Sequence, residues 1–365
     1  MLGIGPRDPL SGKGDPAGDA SETSPPFLYE GAPPMNLQVG SGPWGRRFTD
    51  LSRLPLDARS VDVRHFFVRT DLPASHGRHF PWDIAIEGVE IPFALPFSEI
   101  ASRSRPVGNF VLECSGNDPG GRFGLLSAAD FEGIPFREIL SLIRKRTRAP
   151  IEPMRILVGG LDDPIRRPEG TGWIFGQDQL VSAGAFLATG MDGKPLLPEH
   201  GFPVRLMVPG WYGCACIKWI RRIAFVSENA PATSHMREYA ARTHQRGIPN
   251  LAREYLPAEA GLASMPVRIE RWRTGGKVRY RMVGLIWGGQ SAGAQVQIRI
   301  GGGHWEDVDV SMRRSTRYGW SIWTRDWAPP APGEYAVDMR PKDAREPAPR
   351  LALGYYRRYF RVDES

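Results

Sequence analysis

The apolar positions ahead of residue 90 follow a two-residue period. Trp82, Ile84 and Ile86 alternate with polar or small residues and stop at Gly88. This pattern predicts a half-buried β-strand that ends in a turn.

A helical period follows Pro135. Four apolar residues stand at i, i+3, i+4 and i+7, namely Phe136, Ile139, Leu140 and Ile143. Proline is favoured at the start of a helix, and basic residues such as Arg144, Lys145 and Arg146 are favoured near its end. The spacing predicts a short amphipathic helix that starts at the proline.

Beyond residue 266 the pattern is that of β-strands throughout. Two runs alternate with polar or small residues: Val296, Ile298 and Ile300, and then Tyr335, Val337 and Met339. About 100 residues of short strands at this spacing are typical of an immunoglobulin-type β-sandwich. The segment EYLPAEAGLASMP, between Arg253 and Pro266, indicates a linker before it.

Composition divides the chain into three parts. Residues 1–26 are rich in Gly, Pro, Ser and Asp, which bury too little apolar area to offset the entropy lost on ordering, so we expect a disordered tail. Residues 27–262 should form the first domain and residues 263–365 the second. The 34 prolines and 42 glycines are scattered between apolar runs, which favours an α+β or mostly β fold.

Charge and cysteines narrow the choice of partners. The net charge is +7, but no basic cluster is interleaved with aromatic residues, so we expect no nucleic-acid binding. The three cysteines, Cys114, Cys214 and Cys216, form no disulfide framework. Their spacing also fits neither covalent haem attachment nor a structural zinc site.

No apolar run approaches the about 18 residues that predict a membrane span. The first residues also lack a signal peptide. We therefore expect no membrane span and a cytoplasmic location for the chain as given, or a periplasmic one if its start is truncated.

Cys114 is the first candidate for a functional residue. It follows the short apolar run Val111–Leu112 and precedes a polar, glycine-rich loop, Ser-Gly-Asn-Asp-Pro-Gly-Gly. A thiol at such a junction, with open backbone amides nearby, is suited to bind a soft metal as thiolate. An inert buried cysteine is the alternative.

Four cations stand in apolar sequence: Arg69 in FFVR, His200 and Arg205 in HGFPVR, and Lys218 in CIKW. Such side chains are rarely buried without an anion. If they converge, they form a phosphate or other oxyanion pocket. Ordinary ion pairs with Asp or Glu are the alternative.

Several phrases of the sequence resemble the sulfite oxidase family and occur in that family's order. They cover nearly all of the chain from Phe66 onward. They are FFVRTDLP, VLECSGN, GGLDDP, MDGKPLLPEHGFPVRLMVPGWYG, IKWIRRI, IWGGQSAGAQVQIRIGGGHWEDV and WSIWTRDW.

The resemblance implies an α+β fold, in which a sulfite-oxidase-type molybdopterin-binding domain precedes an immunoglobulin-like β-sandwich that makes a homodimer. Cys114 would be the thiolate ligand of molybdenum, and Arg69 and Tyr239 would be further catalytic residues. The residues that would hold the molybdenum–molybdopterin cofactor are Phe67, Val68, Arg69, Thr70, Asp71, Asp162, His200, Arg205, Cys216, Ile217 and Lys218.

Some positions depart from the family pattern. Thr70 and Asp71 stand where FFVR usually continues with Asn-His, and Asp118 stands where a basic residue commonly follows the cysteine loop. Acidic groups near an incoming dianion would weaken its binding. Tyr239 lies where the family has an active-site tyrosine, but its spacing is shifted, and a surface tyrosine is the alternative.

Three functions follow from the resemblance. The first is oxidation of sulfite or a related sulfur compound by oxygen-atom transfer. The second is reduction of an S-oxide or N-oxide, and the third is a silent relative that acts as a binding module. The lead-in before Phe66 is too short and proline-rich for a haem domain, so we expect no haem in this chain and electron transfer to a separate acceptor such as a cytochrome.

Overall fold

The structure is a computed structural model that describes residues 24–27, 38–39, 45–70, 73, 75–118, 123–147, 154–161, 171–274 and 277–362. The described strands of the first two thirds are β1 (Ser24–Phe27), β2 (Gln38–Val39), β3 (Arg46–Arg47), β4 (Asp83–Glu87), β5 (Phe93–Pro96), β6 (Arg105–Glu113), β7 (Leu126–Pro135), β8 (Met154–Gly160), β9 (Gly172–Gly176), β10 (Phe186–Met191), β11 (Lys194–Pro195), β12 (Arg205–Met207) and β13 (Ile220–Ser227).

The strands of the last third are β14 (Ala263–Thr274), β15 (Lys277–Trp287), β16 (Val296–Ile300), β17 (Glu306–Asp307), β18 (Asp309–Met312), β19 (Ser321–Trp327), β20 (Gly333–Pro341) and β21 (Arg358–Val362). The described α-helices are short: α1 (Phe97–Ala101), α2 (Phe136–Arg146), α3 (Gln177–Ser182), α4 (Ser234–Tyr239) and α5 (Pro349–Ala352). No helix in the described ranges is both long and apolar enough to cross a bilayer.

Two sheets build the part of the molecule that carries Cys114. One has the order β5-β4-β13-β8-β9, and the other has the order β11-β10-β7-β6 with β12 also paired to β10. Ile84 and Ile86 are fully buried on β4, so the predicted strand is confirmed. The predicted helix is confirmed as α2, whose four apolar residues at the predicted positions are all buried.

The last third forms two further sheets, ordered β1-β14-β15-β19-β18 and β17-β16-β20-β21. The two predicted strands pair with each other, with Ile298 opposite Met339. The predicted linker is too long at its C-terminal end, because β14 already begins at Ala263 and Met265 is buried in the core. β1 pairs with β14, which places residues 24–26 of the predicted tail in a strand, while residues 1–23 lie outside the described residues.

The lead-in segment, residues 45–66, is hydrogen-bonded to both groups of sheets, and on the side of the first group Val61 N–H donates to the Ala128 carbonyl of β7 at 2.9 Å. Arg268 of β14 is buried and donates to the carbonyls of Ser52 and Leu54 at 2.7 and 2.9 Å. Trp320 donates to the Ala58 carbonyl at 2.9 Å. The segment is therefore a seam that joins the C-terminal strands to the rest of the chain.

Candidate active site

Cys114 lies directly after β6, and its side chain is only 4% exposed. Its backbone N–H donates to the Leu125 carbonyl at 2.9 Å, and its own carbonyl accepts from Asn117 N at 2.9 Å. The Gly116 N–H points at Cys114 Sγ, 3.4 Å away. A backbone donor at this position stabilises negative charge on a sulfur ligand.

Asn117 holds the turn closed behind the cysteine. Its side-chain oxygen accepts hydrogen bonds from the backbone N–H groups of Gly124 and Leu125, both at 3.0 Å. A fully buried amide that satisfies two backbone donors fixes the turn, because opening it would leave buried donors unpaired.

The cavity beside Cys114 is lined by residues from distant parts of the chain. They are Phe67, Val68, Arg69, Thr70, Leu112, Cys114, Thr171, Glu199, His200, Arg205, Gly213, Cys214, Cys216, Ile217, Lys218, His235 and Tyr239. The structure therefore brings together most of the residues that the sequence singled out. Asp71 and Asp162 lie outside the described residues.

The imidazole of His200 and the guanidinium of Arg205 are both buried in the wall of the cavity. Arg205 donates to the carbonyls of His200 and Cys216, at 3.0 and 3.3 Å. His200 Nε2 donates to the Val63 carbonyl at 3.1 Å. Burial, more than the nearby cations, lowers the pKa of His200 to about 3, so this imidazole is neutral at physiological pH.

Lys218 extends this part of the wall toward the Phe67–Thr70 segment. Its ammonium donates to the carbonyls of Thr70 and Glu199, at 2.6 and 3.0 Å, and lies 4.1 Å from the ring centre of Trp219. These contacts hold the charge at the wall of the cavity. His200, Arg205 and Lys218 thus form what we call the basic end.

The basic end fits an anionic group. Burial lowers the pKa of Arg205 only to about 10, so the guanidinium stays charged, yet none of the carboxylates that the structure describes forms an ion pair with it. Its buried Nε has no hydrogen-bond partner. A buried cation in this state requires an anion to compensate it, and the phosphate of a cofactor would supply one.

A second group of cations lies near the cysteine, and of these Arg69 lines the cavity. Burial lowers the pKa of Arg46, and the charges of Arg69 and Arg242 lower it further. Cys114 and Tyr239 act in the opposite direction and raise it. A side chain placed on Gly116 would meet Arg242 Nη1 at 3.3 Å and Cys114 Sγ at 3.9 Å. Arg46, Arg69 and Arg242 form what we call the arginine mouth.

Tyr239 completes the wall next to the cysteine. It ends α4, is 7% exposed, and lies 5.8 Å from the guanidinium carbon of Arg242. Burial raises its pKa to about 12, so the hydroxyl keeps its proton at neutral pH. The structure thus places Tyr239 inside the cavity and not on the surface.

Sequence reasoning missed Arg46 and Arg242. Asp118 is exposed and is not among the residues that line the cavity. Arg46 stands in the irregular lead-in, within PWGRRF, and Arg242 follows α4. Two arginines beside aromatic residues in an otherwise irregular segment were the available signal for Arg46.

Residues 71–234 match the family model described as "Oxidoreductase molybdopterin binding domain". Rat mitochondrial sulfite oxidase is 26% identical over 213 residues, 55% of this chain and 38% of the relative. Chicken sulfite oxidase is 28% identical over 200 residues, 53% and 41% of the two chains. Nitrate reductase [NADPH] of Emericella nidulans is 29% identical over 194 residues, 48% and 22%. The chain thus spans less than half the length of these relatives.

A solved structure also has a similar fold. The sulfane dehydrogenase SoxCD of Paracoccus pantotrophus superposes with a TM-score of 0.64 at 19% identity. The match covers 93% of this chain and 89% of that chain. At this identity the likeness shows the fold alone.

A buried cysteine in a cavity that also contains buried cations is the arrangement expected of one class of protein, the oxidoreductases that bind a metal through an anionic organic cofactor. The comparisons narrow the class. Residues 71–234 form a molybdopterin-binding oxidoreductase domain similar to that of the sulfite oxidases, and the molybdopterin cofactor predicted from the sequence is confirmed.

Proposed function

We propose that the chain oxidises a small sulfur oxyanion, with sulfite as the first candidate, and that electrons leave to a separate acceptor such as a cytochrome. Three observations carry this proposal: Arg69 lines the cavity with Cys114, Arg242 lies next to Gly116, and the charges of both lower the pKa of Arg46. Like charges this close repel one another, and an anion between them relieves the repulsion. The names of two relatives, sulfite oxidase and nitrate reductase, each refer to a small oxyanion.

Cys114 would bind the metal, and the basic end would hold the pterin and phosphate through Arg205 and Lys218. Asp71 and Asp162 remain proposed cofactor contacts, as do Phe67, Val68, Thr70, His200, Cys216 and Ile217. When bound, the cofactor supplies two-electron oxygen-atom-transfer chemistry. The chain itself separates the two anions, because each has its own group of cations.

Three side chains act on the substrate in this proposal. The arginine mouth attracts and orients the oxyanion, which raises its local concentration beside Cys114. Tyr239, which keeps its proton at neutral pH, donates a hydrogen bond to a substrate oxygen. Removal of that hydroxyl should affect turnover more than binding.

The C-terminal strands would form the immunoglobulin-like domain of residues 263–365, which dimerises, with residues 27–262 as the cofactor domain. The two sheets of this part and the contact between β14 and β20 support a sandwich. Sedimentation of the full chain tests the dimer. We expect twice the chain mass, and a monomer at micromolar concentration would contradict it.

The test of the reaction compares three assays on the purified protein from cofactor-competent cells. We expect molybdenum by elemental analysis and reduction of ferricyanide by sulfite. Sulfite should outperform thiosulfate, which carries sulfane sulfur. Dye-driven reduction of a sulfoxide or nitrate without sulfite turnover would overturn the proposed direction, and the absence of molybdenum would overturn the function altogether.

A further inference from the structure

The turn that carries Cys114, residues 113–117, is held by side chains from the C-terminal third of the chain. Trp287, the last residue of β15, donates its indole N–H to Glu113 Oε2 at 2.8 Å. Tyr356 donates its hydroxyl to Glu113 Oε1 at 3.3 Å. Glu113 is 3% exposed and immediately precedes Cys114 in the chain.

Two further contacts reach the other side of the turn. Arg350 of α5 donates to the Ser115 carbonyl at 2.8 Å, and Tyr355 donates its hydroxyl to the Asn117 carbonyl at 2.8 Å. The same Arg350 lies 3.6 Å from Glu113 Oε1. The residues on either side of Cys114 are therefore held by the C-terminal part of the chain, through the Glu113 carboxylate and the carbonyls of Ser115 and Asn117.

Arg350 is itself rigidly held. Its guanidinium carbon lies 4.6 Å from the ring centre of Tyr212 and 4.9 Å from that of Tyr355. Stacking on two rings limits the rotamers of an arginine and favours its charged form. Removing one partner of a buried charge pair is costly, so this network resists distortion of the turn.

We propose that Glu113, Arg350 and Tyr355 are positioning residues that fix the Cys114 sulfur for the metal, so that α5 and the residues just after it support the active site. The proposal rests on the proposed function for the role of Cys114 as ligand. A sulfur ligand needs such outer support, because small displacements change the strength and geometry of its bond to the metal.

The decisive comparison uses two tyrosines of the same region. Tyr355→Phe removes the hydroxyl bond to the Asn117 carbonyl, whereas Tyr335→Phe removes an equivalent bond to the Ala331 carbonyl, away from the turn. Full-length chains are purified without cofactor and treated with iodoacetamide, and the alkylation rate of Cys114 is followed by peptide mass. We expect Tyr355→Phe to speed alkylation about 3- to 10-fold, as loss of one hydrogen bond would allow.

Tyr335→Phe should leave the rate unchanged, although both variants lose one hydroxyl bond. Equal alkylation rates in the two variants would overturn the proposal, because they would show that the contact at Asn117 does not restrain the cysteine. This arm needs no metal, so it gives its answer even if the proposed function fails.

The loaded protein supplies an independent readout. Glu113→Gln keeps an oxygen for the Trp287 donor and Glu113→Ala does not. We expect the sulfur-to-metal charge-transfer absorption band to shift in Glu113→Ala and to return toward the wild-type position in Glu113→Gln. Identical bands in all three proteins, with molybdenum present, would also overturn the proposal.

Discussion

The basic end of the cavity and the arginine mouth are built in different ways. At the basic end, His200, Arg205 and Lys218 come from one stretch of 19 residues, counted from 200 to 218, and each donates to a backbone carbonyl. At the arginine mouth, Arg46, Arg69 and Arg242 come from three distant segments. The basic end is thus a local motif, whereas the mouth exists only in the folded chain.

This difference suggests different functions for the basic end and the arginine mouth. Anchoring to carbonyls suits a resident cofactor, because the charges keep one geometry. Arg242 is exposed and Arg46 is only partly buried, which suits a ligand that enters and leaves. We therefore expect substitutions at the basic end to affect cofactor retention and substitutions at the mouth to affect substrate binding.

The largest effect should come from the sulfur of Cys114. Cys114→Ser should lower turnover by more than about 100-fold, since loss of outer partners of metal ligands alone costs about 10- to 100-fold. Ferricyanide reduction by sulfite measures it. Cys214→Ala, a neighbouring buried cysteine, should keep most activity, and full turnover in Cys114→Ser would refute the ligand assignment.

At the basic end, Arg205→Met should weaken cofactor retention by about 10- to 100-fold, the worth of a charge-assisted hydrogen bond. The cofactor-free variant should be as stable as wild type or more so, because a buried charge without an acidic partner is removed. Molybdenum content after dialysis and urea unfolding measure the two effects.

Arg155→Met is the matched control for that variant. Arg155 is buried too, but it pairs with Glu228 at 3.0 Å outside the cavity. We expect lower stability and normal molybdenum content. Loss of molybdenum from both variants alike would mean that Arg205 has no special relation to the cofactor.

At the arginine mouth, Arg46→Gln should raise KM for sulfite about fivefold with little change in kcat, as one partly solvated charge would predict. High salt should shrink the difference. Arg345→Gln, which removes an exposed arginine paired with Asp343, should leave KM unchanged. An unaltered KM in Arg46→Gln would remove this residue from the mouth.

The last prediction concerns acid stability. The pKa of His200 is about 3 in the folded protein against its ordinary value of 6.5, so the unfolded chain binds more protons between these values. Stability should therefore fall as pH drops below 6.5, by at most about 1.4 kcal/mol per pH unit from this residue. Urea unfolding at pH 7, 6 and 5 should show a shallower fall in His200→Gln, and parallel curves would contradict the assignment.

The sequence predicted the parts of the fold that depend on local pattern. The strand at Ile84 and Ile86 and the helix after Pro135 follow from periodicity, because a buried face imposes its period on the chain. The basic end was predictable too, since its three residues lie in one motif. Burial without acidic partners was the expected signature, and Arg205 shows it.

The arginine mouth and the support of the Cys114 turn could not be predicted in this way. Arg242 approaches Gly116 across 126 residues, and Tyr356 approaches Glu113 across 243. Contacts between residues so far apart in the chain produce no periodic pattern in the sequence, because each depends on how whole sheets are packed. The linker prediction failed at β14 for a related reason, since small residues such as Ala263 were read as loop although they pack in the core.

The seam made by residues 45–66 sets the order in which this molecule can be assembled. Ser52, Leu54 and Ala58 are synthesised early, yet their partners Arg268 and Trp320 follow more than 200 residues later. Closing such long loops slows folding. The N-terminal segment can therefore complete its contacts only after the last strands have been synthesised. A chain that ends near residue 260 would leave the carbonyls of Ser52, Leu54 and Ala58 without these partners.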